Sequence, residues 1–172
     1  MTPERHRASE PSGPSGPSGN PRPEAGDDVT AIAVAIATAI VIDTNIALDL
    51  LVFDDPCWAA LRSALAAGEL RWIATPPMRA ELARVLGYPL IARRLLRDGR
   101  RPEAVLAAFD AGSRTIDSPP PRAPFVCKDA DDQMFIDLAV ARRARLLSKD
   151  RAVLSMRKRL ATLGVAVAPS FG

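Results

Sequence analysis

Residues 40–49 read "IVIDTNIALD". The β-branched run Ile40-Val41-Ile42 has the make-up of a buried strand, and it stops at Asp43, with Thr44 and Asn45 behind it. A lone acid at a strand tip is most often a turn former or a helix N-cap. It is also where an open α/β sheet would place a site residue. The acids elsewhere in the chain decide between these readings.

Upstream, "TAIAVAIATAIVI" (30–42) carries no charge, and Ile32, Val34, Ile36, Ile40 and Ile42 fall on alternate positions. That is strand periodicity with alanine on the other face. The run is shorter than the roughly 20 residues a membrane-spanning helix needs. It also starts late and follows Asp27-Asp28, which suits a secretory signal poorly. The preceding "EPSGPSGPSGNPRPEAGDD" has almost nothing to bury, so residues 1–28 are expected to be a disordered extension and 29–172 one domain.

With 172 residues, 48% of them apolar, the chain can bury one substantial core. Cys57 and Cys127 have no metal-type spacing, which favours a reducing compartment and a cytoplasmic location. His6 is the only histidine and lies in the extension, so zinc sites and imidazole-based catalysis have little to work with. A metal site here would be built from oxygen, which suits Mg²⁺ or Mn²⁺. Residues 1–28 hold three basic and five acidic side chains, leaving 20 basic against 15 acidic for the domain. A basic domain with concentrated acids points to a polyanionic partner.

Beyond Asp43 helices and strands alternate. Helical patterns cover about 45–52 and 56–67, "LRWIA" (70–74) is a strand, and Pro76-Pro77 opens a helix that runs to Leu86. "PLIARRLLRDG" and "PEAVLAAFDAG" are two short amphipathic helices, and "SRTID" (113–117) is a weak strand. A helix over 131–143, the strand "ARLLS" (144–148), a helix to about 162 and the strand "GVAVA" (164–168) complete an α/β sandwich with a mostly parallel sheet.

In such units the C-terminal end of a strand and the start of the next helix share one edge of the sheet. Asp43 ends the first strand, Glu81 lies early in the helix after "RWIA", and Asp150 follows "ARLLS" by two residues. Asp129, Asp131 and Asp132 open the helix before that strand at the same edge. Capping is an alternative for Asp129, Asp131 and Asp150, and an ion pair with Arg84 or Arg79 for Glu81. Taken together, neighbouring carboxylates repel unless a divalent cation binds them.

Four stretches, "VIDTNIAL", "MRAELARVLGYP", "DADDQMFIDLA" and "ARLLSKDRAVL", in this order, resemble the PIN-domain nucleases, especially the toxins of bacterial toxin–antitoxin pairs. The resemblance covers about 36–171. It implies a three-layer α/β/α fold with a five-stranded parallel sheet in the order 3-2-1-4-5. It also implies cleavage of RNA phosphodiesters with one or two Mg²⁺ or Mn²⁺ ions. The family's acids fall on Asp43, Glu81, Asp132 and Asp150, with Glu81 acting directly or through water. Asn45 matches the polar residue supporting the first acid, and Ser148 stands where the family usually has threonine. Lys149, Ala152 and Ala130 depart from the usual glycine, acid and proline. Arg79, Arg84, Arg142, Arg143, Lys149 and Arg151 are candidate phosphate holders. RNA, a cognate antitoxin and a second copy of the chain are the candidate partners, and no membrane is involved. Two other readings remain: a haloacid-dehalogenase-like phosphatase, which would want an acid where Asn45 stands, and a non-catalytic RNA- or partner-binding module.

Overall fold

The computed structural model describes residues 38–172. The extension at 1–28 and the first part of the alternating apolar run lie outside the described residues.

Strand β1 is Thr38–Ile42, and Ile40, Val41 and Ile42 are all buried. Neither face is exposed, as expected for a parallel strand covered on both sides. Four further strands are β2 (Leu70–Ala74), β3 (Arg114–Thr115), β4 (Arg145–Leu147) and β5 (Val167–Ala168). All pair in parallel, in the order β3-β2-β1-β4-β5. The two outer strands are shorter than the sequence suggests. "SRTID" pairs over two residues, with Ile116 N–H donating to Ala74 O at 2.8 Å just beyond, and "GVAVA" pairs over its last two. They lie at the edges, where few partners reward a longer ladder.

Helix α1 (Thr44–Leu48) starts directly after Asp43 and widens into a π-type turn over Asp49–Phe53, which Asp54 ends in the left-handed region. A short 3₁₀ turn at Pro56–Trp58 leads into α2 (Ala59–Ala66). Prolines in the first turn open α3 (Pro76–Leu86), α4 (Pro89–Arg97) and α5 (Pro102–Gly112), where a missing N–H costs nothing. Helix α6 (Gln133–Arg142) precedes β4, and α7 (Arg151–Ser155) and α8 (Arg157–Ala161) follow it. The single last helix expected from the sequence is thus broken at Met156. Ser155 Oγ donates to the Ala152 carbonyl at 2.7 Å, a local bond that competes with the helical ladder.

Right-handed crossovers in this strand order put α1–α5 on one face of the sheet and α6–α8 on the other. The order reverses at β1, so β2 and β4 flank it, and the tips of β1 and β4 meet at the switch point. The core is continuous: Trp72 meets Phe109 edge to face at 5.0 Å on one side, and Phe135, Ile136 and Leu138 fill the other. Among the described residues no helix is long and apolar enough to cross a membrane.

Candidate active site

Asp43 sits where an N-cap residue would, yet its side chain makes no capping bond. It is 3% exposed, and its Oδ2 accepts from Asn45 Nδ2 at 2.7 Å and from Ser148 Oγ. Burial pushes its pKa up, and these donors, with the Thr44 and Asn45 amides, only partly offset that. A helix cap would use its carboxylate on the backbone ahead. This one is turned toward the tip of β4.

Ser148 is fully buried and works in two directions, donating to Asp43 while its Oγ accepts from the Asp150 N–H at 3.0 Å. Asn45 does the same, donating to Asp43 and accepting from the Lys149 N–H at 3.1 Å through Oδ1. Asn45 and Ser148 therefore stitch the end of β1 to the end of β4. Asp150 caps α7, its Oδ1 accepting from Ala152 N–H at 2.6 Å. The capping reading of Asp150 is realised there.

Glu81, on the second turn of α3, is half-buried, and its Oε2 is shielded from water with no hydrogen-bond partner. Its pKa rises to about 7, first through burial and then through the charges of Asp43 and Asp131, with Arg84 opposing. Asp132 precedes α6 without capping it, and its Oδ2 is also shielded and unpartnered. Burial, then Asp43, Asp150, Asp129 and Glu81, raise its pKa to about 7. Asp129 closes a local turn ahead of this helix, its Oδ1 accepting from the Asp131 N–H at 3.0 Å.

Four separated segments thus bring acids to one rim, close enough for their charges to act on one another. Among the described residues no three His, Cys, Asp or Glu side chains converge as a ready-made metal cage. The donor set still fits a hard divalent cation: all its groups are carboxylate oxygens, and two of them are buried without a donor.

The basic residues separate by position. Lys149 and Arg151 stand at the rim, and Lys149 Nζ pairs with Asp49. Arg84 is close by, bonded to the Tyr88 hydroxyl and 3.5 Å from Asp131. It lines, with Glu81, Asp131 and Met134, an open cleft of about 360 Å³. Arg79 points elsewhere, held by Asp110 through two bonds of 2.6 and 2.8 Å. Arg142 and Arg143 close α6, and a ten-residue helix separates them from Asp132. That distance is about 15 Å.

Two further buried polar side chains hold the site's surroundings in place. Asp49 is buried and accepts from Trp58 Nε1 at 2.9 Å as well as from Lys149, tying α1 to the β4–α7 turn. Its spacing from Asp43 hid this, because the π-type turn begins there. Gln133 is buried and clamps the loop before α6, accepting from Cys127 N–H at 2.7 Å and donating to Phe125 O and Asp137. The Gln133/Asp137 spacing of four on one helix was its signal.

No match is found among curated proteins. The model of the PIN domain family matches residues 39–152, from β1 to the first turn of α7, and so includes all four rim acids. That is well over half of the chain, and with the sheet order and the acidic rim in agreement, the chain belongs to the PIN domain family.

Proposed function

We propose that this protein is an endoribonuclease that uses Mg²⁺ or Mn²⁺ and is the toxin of a toxin–antitoxin pair. PIN domains are a nuclease fold, generally metal-dependent and RNA-cleaving. The observation that carries the reading is the pair of buried, donorless oxygens, Glu81 Oε2 and Asp132 Oδ2, on carboxylates pushed up to about 7 beside Asp43. A buried acid left unpaired is costly, and a divalent cation removes that cost.

In this reading Asp43, Asp132 and Asp150 hold the cation and Glu81 holds it directly or through water. A divalent cation held there would lower the pKa of a water and offset negative charge developing on the phosphate. The chain's own contribution is orientation. Asn45 and Ser148 fix the Asp43 carboxylate, as supporting groups do around other metal sites. Lys149 and Arg151 offer positive charge to the scissile phosphate, and Arg84 does so from the α3 side. Glu81, on the α3 side of the rim, is placed to orient an attacking water.

Incubation of the purified protein with mixed RNAs, with Mg²⁺, Mn²⁺ or EDTA, tests the activity. Degradation with the ions and none with EDTA is expected. Intact RNA under all three conditions removes the nuclease reading. The antitoxin is read as a peptide crossing the rim with an arginine on Asp43, Asp132 or Asp150, in competition with the cation. Co-expression with the neighbouring small open reading frame should relieve growth arrest. A chain that is harmless alone and co-purifies with nothing would instead be a housekeeping nuclease.

A further inference from the structure

We propose that the face of the sheet covered by α6, α7 and α8 is a docking track for the backbone of single-stranded RNA, reaching away from the acidic rim. The proposal rests on the ribonuclease reading above and names how that enzyme holds its substrate outside the cleavage site.

The domain's positive charge is not spread evenly. Residues 38–137 hold twelve basic and fourteen acidic side chains, whereas 138–172 hold eight basic and one acid, Asp150. The whole excess of positive charge therefore comes from the last segment, and the topology puts that segment on one side. Arg142, Arg143 and Arg145 stand at the edge of the sheet opposite the rim, and Arg157, Lys158 and Arg159 lie exposed along α8. Lys149 and Arg151 join this set to the rim. Helices α7 and α8 lie between the two ends.

Elsewhere on the domain five of the twelve basic side chains pair with acids, Arg62 with Asp54 among them. Arg79 pairs with Asp110, Arg84 with Asp131, and Arg94 and Arg97 with Asp98. On this face, apart from Lys149, none of the basic side chains has an acidic partner among the described residues. Such a field repels itself, and a polyanion relieves it while releasing its own counterions. The two aromatic rings here are already covered: Arg145 lies over Phe171 at 5.1 Å and Arg159 over Phe125 at 5.7 Å. With no open ring for base stacking and one acid in the segment, already engaged in capping α7, the contact is to phosphates and tolerates any sequence.

Binding of a labelled single-stranded RNA to the full-length chain in EDTA, read by fluorescence anisotropy across a salt series, tests this without cleavage. The triple variant Arg142→Gln/Arg157→Gln/Lys158→Gln is compared with a charge-matched control on the other side of the molecule, Arg93→Gln/Arg97→Gln/Arg101→Gln. The first is expected to weaken binding about tenfold and to lower the log–log salt slope by about 2. The control should change affinity by less than about twofold. Unchanged binding in the first variant, or equal loss in both, overturns the proposal. So does binding of polyglutamate but not RNA through the same three residues, which would assign the face to an acidic protein. Tight RNA binding that follows this face, with no cleavage in Mg²⁺ or Mn²⁺, would leave the track standing and sink the nuclease reading alone.

Discussion

Asp43 shows how one carboxylate can look like a cap in the sequence and behave otherwise in the fold. Its position, φ and ψ suit the start of α1, but its Oδ2 is taken by Asn45 and Ser148. Burial raises its pKa, so its charge is a cost to the metal-free protein. Asp43→Asn should therefore abolish cation-dependent cleavage while leaving the melting temperature in EDTA at pH 8 unchanged or higher. A clear drop would mean that the carboxylate is a structural anchor. Ser148→Ala should behave in the opposite way. It strips a donor from the buried Asp43 and an acceptor from the half-buried Asp150 amide, at a cost of about 1–3 kcal/mol in chemical denaturation. No loss of stability would show that water replaces the hydroxyl. Asp43, Asp132 and Asp150 are legible in the sequence because each follows a strand or opens a helix, and Glu81 because it lies early in the helix after β2. Asp49 is not, because its role depends on Trp58 and Lys149, nine and a hundred residues away.

Elements decide which end of a helix a side chain serves, and that is where reading along the chain fell short. Arg142 and Arg143 are near Ser148 in sequence, but the direction of α6 and β4 carries them to the far edge of the sheet. The edge strands were overextended because apolar alternation says nothing about how much neighbour is available to pair with. The break at Met156 likewise has no mark in hydrophobic pattern; it comes from one serine bonding backward. Arg143 itself ends α6 at φ 48°, a conformation that costs an ordinary side chain about 1 kcal/mol. Arg143→Gly should accordingly raise stability by about that amount, 1 kcal/mol, and a destabilised variant would show that the arginine side chain makes a compensating contact. Ahead of the same helix, Gln133 holds the loop that delivers Asp132. Gln133→Ala leaves the buried Cys127 N–H unpaired, and should lower stability by about 2 kcal/mol and weaken Mn²⁺ binding together. Loss of stability with unchanged Mn²⁺ affinity would separate the loop from the site.

Across the whole molecule, the fold class and strand order follow from alternation and from the family resemblance, while the electrostatic balance of the rim emerges only in three dimensions. Glu81 and Asp132 rise from usual values of 4.5 and 3.8 to about 7. Between those limits the folded chain binds more protons than the unfolded one, so the metal-free protein should lose stability as pH rises from about 4 to about 7. The double variant Glu81→Gln/Asp132→Asn should flatten that slope in a series of melts in EDTA; an unchanged slope would place the titration elsewhere. A bound cation must displace the same protons. The most direct test of a single carboxylate-built metal site is calorimetric titration of Mn²⁺ at pH 6.5, repeated in two buffers of different ionisation enthalpy. Saturable binding with proton release is expected, lost in Asp43→Asn and in Asp132→Asn and kept in Asp110→Asn, whose carboxylate pairs with Arg79 away from the rim. Equal Mn²⁺ binding by all four proteins, or binding without proton release, would contradict such a site.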